Sequence, residues 1–537
     1  MLTQASIIAL LSAASSVAAD TYPVPAKPNA NGQPLDGYVS YSIEFSSFPE
    51  FAGNKTHPNL FSYNLINNLG AISGSRPYIR VGGNTQDYAL YDKSLKTALV
   101  GTVDPNRSPD YPTTIHIGPS YFESYRTWPG VKFSHGFNLG LGGNRSEGWE
   151  TLVDSVPVAC EALSHGNIYT WEYGNEPDLF AVSAQGPVRP RSSWNESTYV
   201  WQWQNGTAEI KSQIQKYCPG LAKLGHPKFM TPSLAGANGN LKAKLMFEDG
   251  LNKNNDIEYF STHNYISGAG SPGVTLQGTL MSHSKTKASV DAHVNEYSSI
   301  FPAGSAKTSP PLIFGECNSL YNQGRPGLSN TFGAALWGVD FNLYSASVGF
   351  KRVHMHMGTN YRYQAWQPVE TDLASRGTKA PYYGSIAVAA TLGDSVRNPV
   401  SISAIPLPDD HEAAYAAHLT SRGTLARITV LNMRSYNTTV GGEGLEPVPN
   451  PPKRPSQTYT FAVDGVRNGQ RVNVQRLIAN GSDAITGITF DGWSYNYELA
   501  LGLPVRLHNV TTGEKAVVQN GKVTVSVPDS SAVLLTF

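Results

Sequence analysis

The chain has 537 residues, with 40 Lys plus Arg against 40 Asp plus Glu and a formal net charge of zero. That balance excludes a nucleic-acid binder carrying a basic stripe and a protein that holds long polyanions mainly by charge. The length calls for two or three domains, or for a barrel of eight βα units, about 250 residues or more, joined to one further domain. Charged residues make up only 15%, against about 25% in an average soluble protein. With 51 Gly, 28 Tyr and 9 Trp, the composition suits a stable exported chain.

Residues 7–17 form an apolar and small-residue run, and Val17-Ala18-Ala19 offers a small-residue cleavage site before Asp20. Residues 1–19 therefore read as an export signal, although no Lys or Arg precedes the run. No other stretch reaches the ~18 apolar residues of a membrane span, so the expectation is release as a secreted, extracellular protein with no membrane attachment. Asn-x-Ser/Thr sequons start at Asn54, Asn106, Asn144, Asn195, Asn205, Asn437, Asn480 and Asn509, as in a chain on a eukaryotic secretory route.

Residues 20–37 precede the first barrel strand, and 21–24 are expected to add a strand to the C-terminal domain. Short apolar strands then alternate with amphipathic stretches. The strands are expected at 41–48, 78–82, 131–138, 167–173, 228–233, 257–265, 311–315 and 351–356. Helices are expected at 59–68, 149–163, 199–217, 282–300 and 331–347. In 149–163, Trp149, Leu152, Val153, Val156 and Cys160 recur at helical spacing. Eight alternating units imply a parallel sheet closed into a (β/α)8 barrel, placed at 38–375. After Pro381 only short β-rich runs appear, at 401–405, 413–419, 426–431, 458–463, 472–478, 505–508, 515–518 and 523–527. Residues 381–537 thus read as an all-β, sandwich-like domain.

Three cysteines leave one over. Cys160 and Cys218 end helical patterns and are positioned to pair, which leaves Cys317 as a packed, buried thiol. No cofactor motif is found. His354 and His356 alternate on the eighth strand, but two histidines do not make a zinc site.

The active site of such a barrel lies at the C-terminal ends of its strands. The fourth strand ends in Asn175-Glu176-Pro177 and the seventh in Gly315-Glu316. Two carboxyl groups converging from different sides of the ring are the machinery of glycoside hydrolysis. Glu176 is expected to be the proton donor, its pKa raised by burial and by a neighbouring ionised Glu316; Glu316 is expected to be the nucleophile. Asn175 is placed to reach a sugar hydroxyl, and Tyr265 or Tyr321 to hold Glu316. Glu172 reads as a structural partner of Arg80 or His263, and Glu44 and Asp87 as supports.

These motifs resemble glycoside hydrolase family 79, which includes β-glucuronidases and heparanase. The resemblance is carried by Gly315-Glu316-x-x-Ser319-x-Tyr321-x-x-Gly324, Arg80-x-Gly82-Gly83-x-x-x-Asp87, His263-x-Tyr265 and Gly358-x-Asn360-Tyr361. It implies that Glu176 is the acid/base and Glu316 the nucleophile. It also implies a uronate carboxylate held by the loop after the eighth strand, at Gly358, Thr359, Asn360 and Tyr361, helped by Tyr321. Asn84, within the second-strand motif, joins Asn175 and Tyr265 in the implied substrate-binding set. Where heparanase has a Gly-rich run, this chain has Asn322-Gln323-Gly324-Arg325-Pro326-Gly327, and clustered basic runs for a sulfated polymer are missing. The chain is therefore most similar to the secreted fungal β-glucuronidases of the family. The implied activity is retaining, exo-acting removal of terminal glucuronic acid, with or without a 4-O-methyl group, from glycans or glycosides. The alternatives are a neutral-sugar glycosidase of arabinofuranosidase or xylosidase type, a heparanase-like endo-glucuronidase, and a sugar-binding protein without catalysis.

Overall fold

A computed structural model describes residues 20–143, 146–182, 188–302 and 309–537. The expected export signal at 1–19 and the sequon at Asn144 lie outside the described residues. Eight parallel strands close into a barrel: β1 (Val39–Glu44), β2 (Ile79–Gly82), β3 (Phe133–Phe137), β4 (Ile168–Tyr173), β5 (Phe229–Leu234), β6 (Ile257–Gly268), β7 (Leu312–Tyr321) and β8 (Val353–Met357). Each matches a strand read from the sequence. All six residues of β1 are buried, as are all five of β8, because helices cover one face and side chains fill the other.

The surrounding helices start and stop on local signals. Asn59 accepts a hydrogen bond from Ser62 N at the head of Leu60–Ser73, and Gly74 ends that helix at φ 77°. Asn195 caps Glu196–Tyr217 in the same way through Thr198 N. Cys160 and Cys218 form a disulfide across 58 residues, tying Glu147–Leu163 to the end of Glu196–Tyr217. Cys317 is buried and free.

Besides several of eight residues or fewer, one long helix was not read from the sequence. Ala380–Leu392 follows β8 and packs against the helices Leu60–Ser73 and Phe332–Ser347, beyond residue 375, where the sequence pattern ended the barrel. It is buried on nearly every side, because the β-domain covers the side that would otherwise face water. No polar stripe is left to reveal a 3.6-residue period.

The C-terminal domain is two sheets face to face. The larger runs Val400–Ile405, Glu412–Leu419, Leu425–Asn432, Ser531–Thr536 and Arg471–Ile478, then three two-residue strands. The smaller pairs Thr21–Pro23, Ser456–Ala462 and Lys522–Pro528. The N-terminal strand lies parallel to Ser456–Ala462, with Thr21 opposite Thr460. Along Glu412–Leu419 the two-residue period decides which core each side chain joins. Ala413, Tyr415 and Ala417 face the barrel, whereas Ala414 and Ala416 enter the sandwich with Ile428, Phe461 and Val525. The Tyr415 hydroxyl donates to Asp340 Oδ1 at 2.6 Å, fastening the domain to the helix Phe332–Ser347.

Candidate active site

Glu176 lies just past β4 in the left-handed region, at φ 46° and ψ 54°. A non-glycine residue there costs about 1–3 kcal/mol and concentrates at functional sites. Its N–H donates to the Ser233 carbonyl at 3.0 Å, which fixes the turn against the end of β5. Glu316 sits inside β7, opposite His263 on β6. The sequence reading ended this strand at Gly315. The strand continues because the side chains after Gly315 find partners in the barrel mouth. Asn318 Nδ2, for instance, donates to the His356 carbonyl at 2.8 Å.

Arg80, fully buried, organises the floor. Its guanidinium donates to Glu316 Oε2 at 2.6 Å, Glu172 Oε2 at 2.8 Å, Asn175 Oδ1 at 2.8 Å and Ser42 Oγ at 3.0 Å. Glu172 is thus the structural partner expected of it, completed by Ser233 Oγ at 2.6 Å. With Asn175 Oδ1 occupied, its amide nitrogen points to Asn84 Oδ1 at 3.0 Å, leaving one N–H for a ligand. Asp87 accepts the backbone N–H groups of Leu139, Gly140 and Asn175, so it shapes the loop that presents Glu176.

The two carboxyl groups are held in opposite states. Glu176 is buried and faces Glu316, and its pKa is pushed up to about 8. Burial would raise Glu316 as well. The positive charge of His356, that of His263 in the acid range where it is protonated, the charge of Arg80 and the hydrogen bond from Tyr265 outweigh it and hold Glu316 at about 2. The Tyr265 hydroxyl donates to Glu316 Oε1 at 2.7 Å. His263 Nδ1 lies 3.0 Å from Glu176 Oε1, and burial lowers its own pKa to about 4. Near neutral pH the arrangement is a protonated Glu176, a neutral His263 and an ionised Glu316. One ligand atom from each of these three residues falls within a 4.8 Å set. Those atoms could also surround a cation, but both Glu316 oxygens already accept donors.

A cavity of about 390 Å3 opens over the pair. Asn84, Tyr265 and Tyr321 line it, as the sequence suggested; Glu44, read there as a support, lines it too, and among the described residues no Lys or Arg does. Tyr111, Asn322, Gln323, His356 and Tyr363 also line it and were not singled out as ligand-contacting residues. Tyr363 continues the Gly358-x-Asn360-Tyr361 motif by two residues. Asn322 and Gln323 were visible only as departures from a Gly-rich run. Their φ angles, 61° and 59°, put two non-glycine residues in the left-handed region immediately beside the cavity.

The loop after β8 behaves differently from the expected carboxylate clamp. Thr359 N donates to Ser47 Oγ at 3.1 Å and Asn360 N to Gln367 Oε1 at 3.0 Å, so these backbone donors are already committed. The Thr359 hydroxyl bonds Glu50. Gly358 is packed under the Tyr361 ring, where a Cβ would lie 2.6 Å from ring carbons. The Tyr361 hydroxyl donates to Glu44 Oε2 at 3.1 Å. Gly358, Thr359, Asn360 and Tyr361 therefore brace the wall that holds Glu44. Arg362, the guanidinium next along this loop, is engaged by Asp110 through both terminal nitrogens at 2.6 and 2.8 Å.

Comparison with known proteins agrees with this geometry. Residues 414–534 match the model of the glycosyl hydrolase family 79 C-terminal beta domain. A beta-glucuronidase of Neurospora crassa is 60% identical over 508 residues, 91% of this chain and 90% of that protein. The chain belongs to glycosyl hydrolase family 79. A beta-glucuronidase of Aspergillus niger is 53% identical, covering 94% of this chain and 91% of that protein. Among solved structures, a 4-O-α-L-rhamnosyl-β-D-glucuronidase from Fusarium oxysporum 12S, in complex with Rha-GlcA, matches with TM-score 0.74 and 25% identity. That match covers 96% of this chain and 100% of the other. A family 51 α-L-arabinofuranosidase from Bifidobacterium longum matches with TM-score 0.60 at 13% identity, over 96% and 99% of the two chains, a likeness of fold alone. The family 79 chain described here is a glycoside hydrolase built on a (β/α)8 barrel followed by a β-domain.

Proposed function

We propose that this family 79 hydrolase is a retaining, exo-acting β-glucuronidase that releases terminal glucuronic acid, with or without a 4-O-methyl group. The observation that carries the retaining mechanism is the proximity of Glu176 and Glu316 oxygens, within 4.8 Å. Retaining glycosidases hold their carboxyl groups about 5–5.5 Å apart, whereas inverting ones need about 6.5–9.5 Å for a water. Glu316 attacks C1 while Glu176 gives its proton to the glycosidic oxygen, and the aglycone leaves as the alcohol. Glu176, now ionised, takes a proton from water; the oxygen of that water attacks C1 and Glu316 departs. Arg80 and Tyr265 keep the nucleophile ionised and aimed.

The names of the two curated relatives support the uronate assignment. With no Lys or Arg among the described residues of the cavity wall, the carboxylate is held by hydrogen bonds. The donors are the Tyr321 hydroxyl and the backbone N–H groups of Asn322 and Gln323. Those same bulky residues, where heparanase is Gly-rich, support exo action. The Cys160–Cys218 disulfide and exposed sequon asparagines such as Asn54, Asn205 and Asn480 favour an extracellular site of action. The test is turnover of aryl β-glucuronide against aryl β-glucoside, with NMR of the first-formed anomer. The expected result is a large glucuronide preference with β-glucuronic acid appearing first. Equal turnover removes the uronate assignment, and an initial α-anomer removes retention.

A further inference from the structure

A groove of about 390 Å3 lies where the loop after β1 meets the β-domain. Leu60 and Phe61, at the head of the helix Leu60–Ser73, line it from the barrel. Tyr497 and Leu501 line it from the β-domain. Phe61 and Tyr497 meet edge to face at 4.9 Å. Leu60 is nevertheless 58% exposed and Leu501 50%. Leu499 and Leu503, two residues to either side of Leu501, are about as open. Apolar surface gathered in one place marks a face that something covers, where single exposed leucines would not.

The chain carries an attachment point for its own cover at the rim. Asn54, in the sequon Asn54-Lys55-Thr56, is exposed, and Gly53 and His57 to either side of it line the groove. Asn54 Oδ1 accepts the Thr56 N–H at 3.0 Å, the Thr56 hydroxyl at 2.8 Å and the His57 N–H at 2.9 Å. Its amide nitrogen, the atom that takes an N-glycan, has no partner among the described residues. We infer that an N-glycan on Asn54 lies back in this groove, with its first N-acetylglucosamine residues packed on Leu60, Tyr497 and Leu501. The inference rests on the extracellular reading above.

The chemistry of the groove favours that occupant. A neutral sugar has apolar ring faces and an N-acetyl methyl group that pack on leucine and aromatic side chains, while its hydroxyl edge stays in water. Covering the leucines in this way is favourable. The polar side chains nearby are engaged: Glu50 accepts from the Thr359 hydroxyl, and Asn59 Nδ2 donates to the carbonyls of Glu50 and Pro368. Arg376 Nη1 donates to the Tyr497 hydroxyl at 3.2 Å, with the guanidinium 5.4 Å from the ring centroid. The hollow that Lys55 lines is walled by Lys93, Lys96 and Arg126 as well, charges that give a neutral sugar no advantage. A second copy of the chain fits less well, because a stable interface takes about 800 Å2 from each partner and a glycan on the rim would stand in its way.

The test uses the full chain secreted by a fungal host, read by glycopeptide mass spectrometry, amide exchange and binding of an apolar-surface dye. Asn54 should carry a glycan in most molecules. Asn54→Asp removes the glycan and keeps the side-chain oxygen that holds the turn. The hydrogen-bonded amides of Leu499, Leu501 and Leu503 should then exchange about fivefold faster, the worth of covering one half-exposed leucine. Dye binding should rise, and adding Leu60→Ser and Leu501→Ser should abolish the rise. Asn205→Asp, on the exposed face of the helix Glu196–Tyr217, should move neither reading. If Asn54→Asp is not secreted, wild-type protein deglycosylated after secretion gives the same comparison. A bare Asn54 beside other occupied sequons overturns the inference and leaves export standing, whereas sequons bare throughout remove the export reading and the inference with it. A glycan at Asn54 whose loss changes neither exchange nor dye binding overturns the inference, as does a wild-type dimer that buries residues 497–503.

Discussion

Arg80 donates to Glu316 Oε2 at 2.6 Å from a fully buried position on β2, three strands round the barrel from β7. The same guanidinium neutralises Glu172. Arg80→Met should leave two buried carboxylates without their cation. Breaking a buried pair in this way costs about 3–5 kcal/mol, readable by chemical denaturation. It should also raise the pKa of Glu316 and move the acid limb of kcat/KM upward. An unmoved acid limb with lost stability would make Arg80 structural only.

Activity needs Glu176 protonated and Glu316 ionised. With Glu176 at about 8 and Glu316 at about 2, kcat/KM should be bell-shaped, with its alkaline limb near 8 and its acid limb well below 4. The stability contributions have opposite signs. Glu316, depressed from 4.5, contributes fully above pH 4.5 and loses its contribution as pH falls through 2. Glu176, raised from 4.5, contributes fully below pH 4.5 and loses its contribution as pH rises through 8. Glu316→Gln removes the charge facing Glu176, so an NMR titration of the Glu176 carboxyl should show a lower pKa than in the wild type.

The roles separate by azide rescue. Glu176→Ala should retain turnover of substrates with good phenol leaving groups, and azide should attack its glycosyl-enzyme to give a β-azide. Glu316→Ala should form no intermediate and yield at most an α-azide. The reverse pattern would swap the assignments.

Two tyrosines given one role by the sequence should now behave differently. Tyr321 lines the cavity, whereas the Tyr361 hydroxyl is bound to Glu44. Tyr321→Phe should narrow the glucuronide-to-glucoside ratio by about 1.5–3 kcal/mol, the worth of a hydrogen bond to a charged group. Tyr361→Phe should slow both substrates alike and leave the ratio in place. A collapse of the ratio in Tyr361→Phe would return the clamp to the loop after β8.

The Cys160–Cys218 bridge closes 58 residues. The chain-entropy relation gives about 4 kcal/mol for a loop of that length. The Cys160→Ala/Cys218→Ala double variant should melt several degrees lower while keeping kcat, since neither residue lines the cavity.

Each of the eight barrel strands was legible as a short run rich in apolar residues and bounded by turn chemistry, and Glu176 and Glu316 were legible because each stands where the strand pattern in the sequence stops. What escaped notice was made by burial from outside the segment. Ala380–Leu392 shows no period because the β-domain covers the face that would have been polar. Glu316 looked like the start of a loop because its partners, Arg80 and Tyr265, are 236 and 51 residues away in sequence. The free backbone donors expected at Thr359 and Asn360 are committed to Ser47 and Gln367, pairings that no local spacing announces.

The parallel pairing of Thr21–Pro23 with Ser456–Ala462 sets the order in which the molecule can be assembled and divided. From Thr21 the chain passes through the β-domain, makes the whole barrel, and returns to finish the same domain. A chain emerging from the ribosome must hold its first strand unpartnered until more than four hundred further residues have been made. A single cut after residue 395 would not yield two independent parts, because the barrel fragment would carry off an edge strand of the other. Grafting this barrel onto a different β-domain would require two junctions, and cooperative unfolding of the two domains as one unit is the expected calorimetric behaviour.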